Sequence, residues 1–217
     1  MVELKFCGMT RAEDARRAAE LGATYVGVVF AGGPRRQDEA SAAAIFADLP
    51  AGVRRVGVFG DEPADEIARR ATGLGLWGVQ LHGDPTPEDV RALRVRWSGA
   101  IWAAVRIAGL ELPVRTGELF GAADAVLLDA KVEGAMGGTG TPLPWRELAT
   151  ALAAVRGARA RVVLAGGLRP ENVADAVRAL APDVVDVSSG IESTVGIKDP
   201  ARMRAFRDAV RAVEVTG

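Results

Sequence analysis

The sequence has little of what disulfides, metal sites and membranes require. Cys7 is its only cysteine and His82 its only histidine. That excludes an intrachain disulfide and leaves too few sulfur and imidazole ligands for a structural zinc site. Apolar residues make up 49% of the chain, yet they never run uninterrupted for the roughly 18 residues a membrane span needs. The opening segment MVELKFCGMT sets charges inside a short apolar stretch, so no secretory leader is expected and a cytoplasmic location is. An excess of one charge is also missing. Lys and Arg number 27 against 28 Asp and Glu, a net charge of -1, which gives no general attraction for nucleic acid or an anionic membrane. Any anion site must therefore be local. Lysine itself is scarce: only Lys5, Lys131 and Lys198 stand among the 27 basic residues. Each is worth inspecting, because a compact ammonium and a guanidinium fork do different work in a tight site.

What is present is an alternation. Short β-branched or apolar runs occur at residues 2–7, 24–30, 54–59, 77–82, 100–106, 124–129, 161–165 and 184–188. Helix-like stretches lie between them, at 11–21, 39–49, 64–74, 87–93, 145–155, 170–180 and 200–213, with a weaker one near 114–120. Thr10, Asp38 and Thr86 are placed to cap helix starts, Pro87, Pro170 and Pro200 suit first turns, and Gly22 suits a C-terminal cap. Strict βα alternation demands a parallel sheet. Eight units in 217 residues predict a single α/β domain over residues 1–217, a closed (β/α)8 barrel. An open doubly wound sheet is the alternative, and it would leave several of the strands unused.

Strand periodicity then says which side chains face the lumen. Val2, Leu4 and Phe6 share one apolar face, which turns Lys5 and Cys7 inward. By the same rule Gln80, His82, Asp186 and Ser188 point inward, and Asp129 is the inward residue at the C-terminal end of the sixth strand. Inward polar residues at strand C-termini are where such barrels keep their chemistry. Lys5, buried in the lumen, needs an anionic partner, either Asp129 or Asp186. Gln80, His82 and Asp186 either hydrogen-bond a substrate or satisfy the barrel interior. After strands seven and eight stand AGGLRPENV and DVSSGIE. Gly166 and Gly167 allow close backbone approach, and Ser188, Ser189 and Gly190 offer N–H and hydroxyl donors near a helix N-terminus, a phosphate site by type and position. Arg35 and Arg36, on the loop after strand two, can grip a carboxylate or remain solvated surface charge. The glycine-rich segment 130–142 after Asp129 is a candidate lid. Cys7 and Asp129, on well separated strands, can flank a sugar as base and acid.

The motifs KFCGMT, GVVF, VGVF, GVQLHG, LLDA, GGTG, AGGLRPENV, DVSSGIE and KDP, in this order along nearly the whole chain, resemble the phosphoribosylanthranilate isomerase family of tryptophan biosynthesis. The resemblance implies an Amadori rearrangement of a small phosphorylated substrate, without metal or organic cofactor, by a monomer or homodimer. It places the general base on Cys7 and the general acid on Asp129, and extends the phosphate site to Gly138 and Gly140. Since an ordinary thiol is protonated and an ordinary carboxyl ionised at neutral pH, the site is expected to favour thiolate and protonated Asp129. The family's carboxylate-binding arginine follows Ser-Pro, whereas GGPRR is one residue shorter here. Arg35 matches the motif and Arg36 the distance from the strand. Val195 stands where proline is common, which bears on loop stiffness. Two other phosphate-binding enzymes fit less well: a metal-dependent epimerase wants several histidines, and a decarboxylating ring closure wants its own catalytic lysine. A noncatalytic binding barrel would leave Cys7 and Asp129 without a purpose.

Overall fold

The computed structural model describes residues 1–107, 111–130, 145–157 and 159–215. Eight parallel strands, β1 (Glu3–Phe6), β2 (Tyr25–Val29), β3 (Arg54–Phe59), β4 (Gly78–Leu81), β5 (Ala100–Ile107), β6 (Ala125–Ala130), β7 (Arg161–Ala165) and β8 (Val184–Val187), close into a barrel with β1 hydrogen-bonded to β8. Helices α1 (Ala12–Glu20), α2 (Glu39–Phe46), α3 (Ala64–Gly73), α4 (Pro87–Arg96), α5 (Thr116–Ala122), α6 (Trp145–Val155), α7 (Val173–Leu180) and α8 (Pro200–Val215) follow the strands in turn. The weak fifth helix is real. A three-residue 3-10 turn (Ser189–Ile191) and a small hairpin, β9 (Glu192–Thr194) with β10 (Ile197–Lys198), intervene before α8.

Local chemistry accounts for most of the helix boundaries. The Asp38 side chain accepts from Ser41 N–H to start α2, and Thr86 and Asp89 form a reciprocal capping box that starts α4, with Pro87 as its first residue. Gly22 takes a left-handed conformation, φ 78°, just past α1. One expected cap and one expected first-turn proline act otherwise. Arg11 is the N-cap of α1, while the Thr10 hydroxyl donates to Gly196 O at 2.5 Å, tying the loop after β1 to the hairpin after β8. Pro170 lies three residues ahead of α7, whose N-cap is Asn172.

The period-two reading of the strands holds around the ring. Leu4, Phe6, Val79, Leu81, Val126, Leu128, Val185 and Val187 pack with the helices in one apolar layer. Tyr25, Val56, Trp102, Ala104, Leu127, Val163 and Val184 form a second cluster inside the barrel. Its N-terminal end is plugged. Tyr25 Oη donates to Glu3 at 2.6 Å and accepts from Arg54 at 2.9 Å and Arg161 at 2.8 Å, under a tilted Tyr25–Trp77–Trp102 aromatic group. Among the described residues, the inward polar groups are therefore approached from the opposite end, where the strands' C-termini lie.

Candidate active site

Just above the apolar plug, polar side chains replace the core. Lys5 on β1 is fully buried, and its ammonium donates to Asp186 Oδ2 on β8 at 2.6 Å and to Gln80 Oε1 on β4 at 2.8 Å, reaching across the lumen. Asp186, not Asp129, is thus the partner that Lys5 required. Because the Gln80 carbonyl accepts from an ammonium that can only donate, its amide NH2 must face His82 Nδ1, 3.0 Å away. Nδ1 is then the acceptor, and the ring proton resides on Nε2, which stands 3.3 Å from Asp129 Oδ2. A hydrogen-bonded chain, Asp186–Lys5–Gln80–His82, therefore links β8, β1 and β4, and the His82 ring brings it to within 3.3 Å of Asp129 on β6. The second oxygen of Asp186, Oδ1, is buried without a hydrogen-bond partner among the described residues. A buried acceptor of that kind wants a donor from a ligand.

Burial alone would lower the Lys5 ammonium, but Asp186 and, to a lesser degree, Cys7 hold it above its ordinary value. A raised cation stabilises the fold at every pH below its unfolded value, and that contribution is lost only as pH climbs through the folded one. Replacing Lys5 by Met leaves Asp186 buried and uncompensated, an expected loss of about 3–5 kcal/mol. Adding Asp186→Asn should recover much of it. Urea midpoints of the two single variants and the double variant measure this directly, and additive losses would show that the ion pair is not what Lys5 contributes.

Cys7 follows β1 at the lumen wall, 7% exposed. A methyl group on Gly27 of β2 would come within 2.8 Å of its sulfur and 3.3 Å of Lys5 Cε, so thiol and ammonium are neighbours and Gly27 makes the room. The thiol is raised, chiefly by burial and further by Asp186, with Lys5 drawing it down only in part. These surroundings oppose the expected preference for thiolate. A positive charge on a ligand is what would tip it.

The mouth is built from loops after β1, β2, β7 and β8. Gly8, φ 67°, has no space for a side chain: a methyl there would stand 2.6 Å from Ser188 Oγ and 2.8 Å from Arg35 Cδ. Arg35 thus lies over the residue next to Cys7, whereas Arg36 is exposed and its backbone bridges to Val29. After β7, Gly166 and Gly167 are both left-handed (φ 83° and 63°), presenting successive backbone groups that a residue with a side chain would adopt only under strain. A methyl on Gly190 would collide with Leu168 O at 1.9 Å, so the loops after β7 and β8 touch backbone to backbone. Ser188, Ser189 and Gly190 are at least partly accessible there. The element they enter is a three-residue 3-10 turn. Anion binding here would rest on N–H and hydroxyl donors and not on the dipole of a full helix, contrary to expectation. Gly138, Gly140 and most of the candidate lid lie outside the described residues.

Sequence reasoning passed over Glu192 and flagged Lys198 only for its rarity. Both are buried: Lys198 Nζ donates to Glu192 Oε1 at 2.9 Å and to Ser188 O at 3.1 Å, and Arg35 makes a two-point contact with Glu192 at 2.7 and 2.6 Å. The lysine's rarity was the one available signal.

Residues 4–209 match the N-(5'-phosphoribosyl)anthranilate (PRA) isomerase family. The chain belongs to that family. It is 45% identical over 214 residues to the isomerase of Rubrobacter xylanophilus, covering 98% of this chain and all of the relative, and 42% identical to that of Chromohalobacter salexigens over 95% of this chain and 93% of the other. Among solved structures, the Thermotoga maritima isomerase superimposes with a TM-score of 0.84 at 34% identity, and the Thermus thermophilus isomerase with 0.81 at 36%; each is covered in full by 98% of this chain. Another isomerase structure of the family, TM-score 0.82 at 32% identity and again covered in full by 98% of this chain, is a complex with reduced 1-(o-carboxyphenylamino)-1-deoxyribulose 5-phosphate.

Proposed function

We propose that Cys7 and Asp129 are the base and the acid of an Amadori rearrangement at the mouth of this barrel. The activity is that of the PRA isomerase family: N-(5-phosphoribosyl)anthranilate is converted to 1-(2-carboxyphenylamino)-1-deoxyribulose 5-phosphate in tryptophan biosynthesis. The observation that carries the assignment is the lumen chain. It brings Asp129 on β6 and the Lys5 neighbour of Cys7 on β1 into one polar layer toward the C-terminal ends of the strands.

In this mechanism the Asp129 carboxyl gives its proton to the furanose ring oxygen as the bond from C1 to that oxygen breaks, leaving a protonated Schiff base at C1. The cation acidifies C2 and lies beside Cys7, where it favours the thiolate that burial otherwise opposes. The thiolate takes the C2 proton, and the C2–H electrons form the C1–C2 double bond and neutralise the nitrogen. The resulting enol then becomes the ketose, C1 gaining a proton as the C2 hydroxyl loses one. His82, with Nε2 turned toward Asp129, orients it and leaves its other oxygen for the sugar. Asp186 Oδ1 accepts from a sugar hydroxyl. Gly166, Gly167, Ser188, Ser189 and Gly190 hold the phosphate, and Arg35, the arginine directed over the mouth, takes the aromatic carboxylate. A cytoplasmic location suits this reading, since a lone functional thiol there stays reduced.

Turnover tests the activity: freshly generated N-(5-phosphoribosyl)anthranilate should lose its fluorescence on addition of the protein, and a folded protein that leaves the signal unchanged is only a binding module. A pH series tests the base. Because the thiol is raised in the free enzyme, kcat/KM should climb with pH through a limb above the thiol's ordinary 9.0. In the kcat profile the same limb should lie at lower pH, because the Schiff-base cation is present only in the complex. A kcat/KM limb near neutrality would assign the base to another group.

A further inference from the structure

We propose that Glu192 and Lys198 are positioning residues that give Arg35 its place and its net positive charge, and that they thereby set the preference for a substrate carrying a carboxylate on its ring. The inference rests on the reading that Arg35 meets that carboxylate. Arg35, 24% exposed at its side chain, hands its Nε and Nη2 groups to the two oxygens of Glu192, itself 5% exposed. That pairing does not engage Nη1, so the second edge of the guanidinium stays available for another carboxylate. Glu192 is fixed in turn by Lys198, whose side chain is fully buried and also holds the backbone carbonyl of Ser188. Burial by itself would raise the Glu192 carboxyl, but the hydrogen bonds from Arg35 and Lys198 keep it below its usual range, so it is an anion.

The charges decide what each member does. Arg35 and Glu192 alone sum to zero, and a neutral pair offers an incoming carboxylate little attraction. Burial lowers the Lys198 ammonium and the contact with Glu192 opposes that; as a cation Lys198 raises the triad to one net positive charge at the mouth without being accessible to the substrate itself. Stability gives no reason for such a cluster, since well packed apolar residues commonly replace a buried ion triad without loss. Its placement gives one: Glu192, Lys198 and Ser188 come from the segment after β8 and Arg35 from the loop after β2, and Arg35 and Ser188 meet over Gly8 beside Cys7.

The test compares Lys198→Met, Glu192→Gln and Glu192→Asp on two substrates, N-(5-phosphoribosyl)anthranilate and the compound formed from ribose 5-phosphate and aniline, which lacks the carboxylate. Lys198→Met keeps Glu192 paired with Arg35, so no buried charge is orphaned. Its KM for the anthranilate compound should rise about tenfold with kcat within about twofold, the signature of lost ground-state binding. The KM for the aniline compound should not move. Glu192→Gln raises the cluster's charge but removes the two-point hold on Arg35, so it should show the same split through lost placement, and Glu192→Asp, which restores the carboxylate on a shorter stem, should recover part of it. Equal KM changes on both substrates, or none on either, would overturn the proposal while leaving the enzyme's identity intact. Failure of the unsubstituted protein to turn over the anthranilate compound would instead overturn the functional reading. Should Lys198→Met not fold, Glu192→Asp carries the same comparison with both cations still paired.

Discussion

Asparagine in place of Asp129 is expected to lower kcat by about a thousandfold, within the range that a single proton-transfer group contributes, while a stable product analogue still binds within a few-fold of its original affinity. The reason is geometric. Asn has the shape of Asp and can keep the same place 3.3 Å from His82 Nε2, so the hydrogen bonds among His82, Gln80 and Lys5 survive and the site keeps its shape. What is lost is the proton for the ring oxygen. Steady-state kinetics and calorimetric titration with the analogue separate the two effects. A variant with near-normal kcat would take Asp129 out of the mechanism, and one that no longer binds the analogue would make its role that of a ligand.

Cys7→Ala should reduce kcat by a similar or larger factor, since its neighbours Lys5 and Asp186 are already engaged with each other as an ion pair, and general-base removal costs about a hundred- to ten-thousandfold. Cys7→Ser should fall between the two: an alcohol is far harder to ionise than a thiol, even beside the Lys5 ammonium that the Gly27 contact places next to it. Stability should change little in either variant, because the small side chain is replaced by one of similar size. Single-turnover measurements are the appropriate check, as they report the C2 proton transfer free of product release, and a deuterium label at C2 should slow that step in the parent enzyme. Serine and alanine variants that both retain ordinary rates would return Cys7 to the role of a small buried hydrophobe.

Both predictions depend on how far local pattern reaches. The inward positions of Lys5, Cys7, Gln80, His82, Asp129 and Asp186 were legible because a strand alternates its faces every residue, a property of the backbone that needs no knowledge of neighbours. The partner of Lys5 was not legible. Asp129 and Asp186 are both inward acids, and only the closure of β1 against β8, which sets Lys5 level with Asp186, selects between them. The thiol's state was not legible either: Lys5 stands two residues before Cys7, but the depth of burial and the opposing Asp186 come from closure of the barrel.

The chain's own order of residues thus determined the eightfold βα rhythm, the faces of each strand and the kinds of side chain brought to the mouth. Three-dimensional closure alone decided that Arg35, and not Arg36, lies over Gly8, that Glu192 grips it from 157 positions away, and that Lys198 is buried beneath them. Periodicity is written over four to eight consecutive residues, whereas a contact between distant loops depends on the register and stagger of every strand between them.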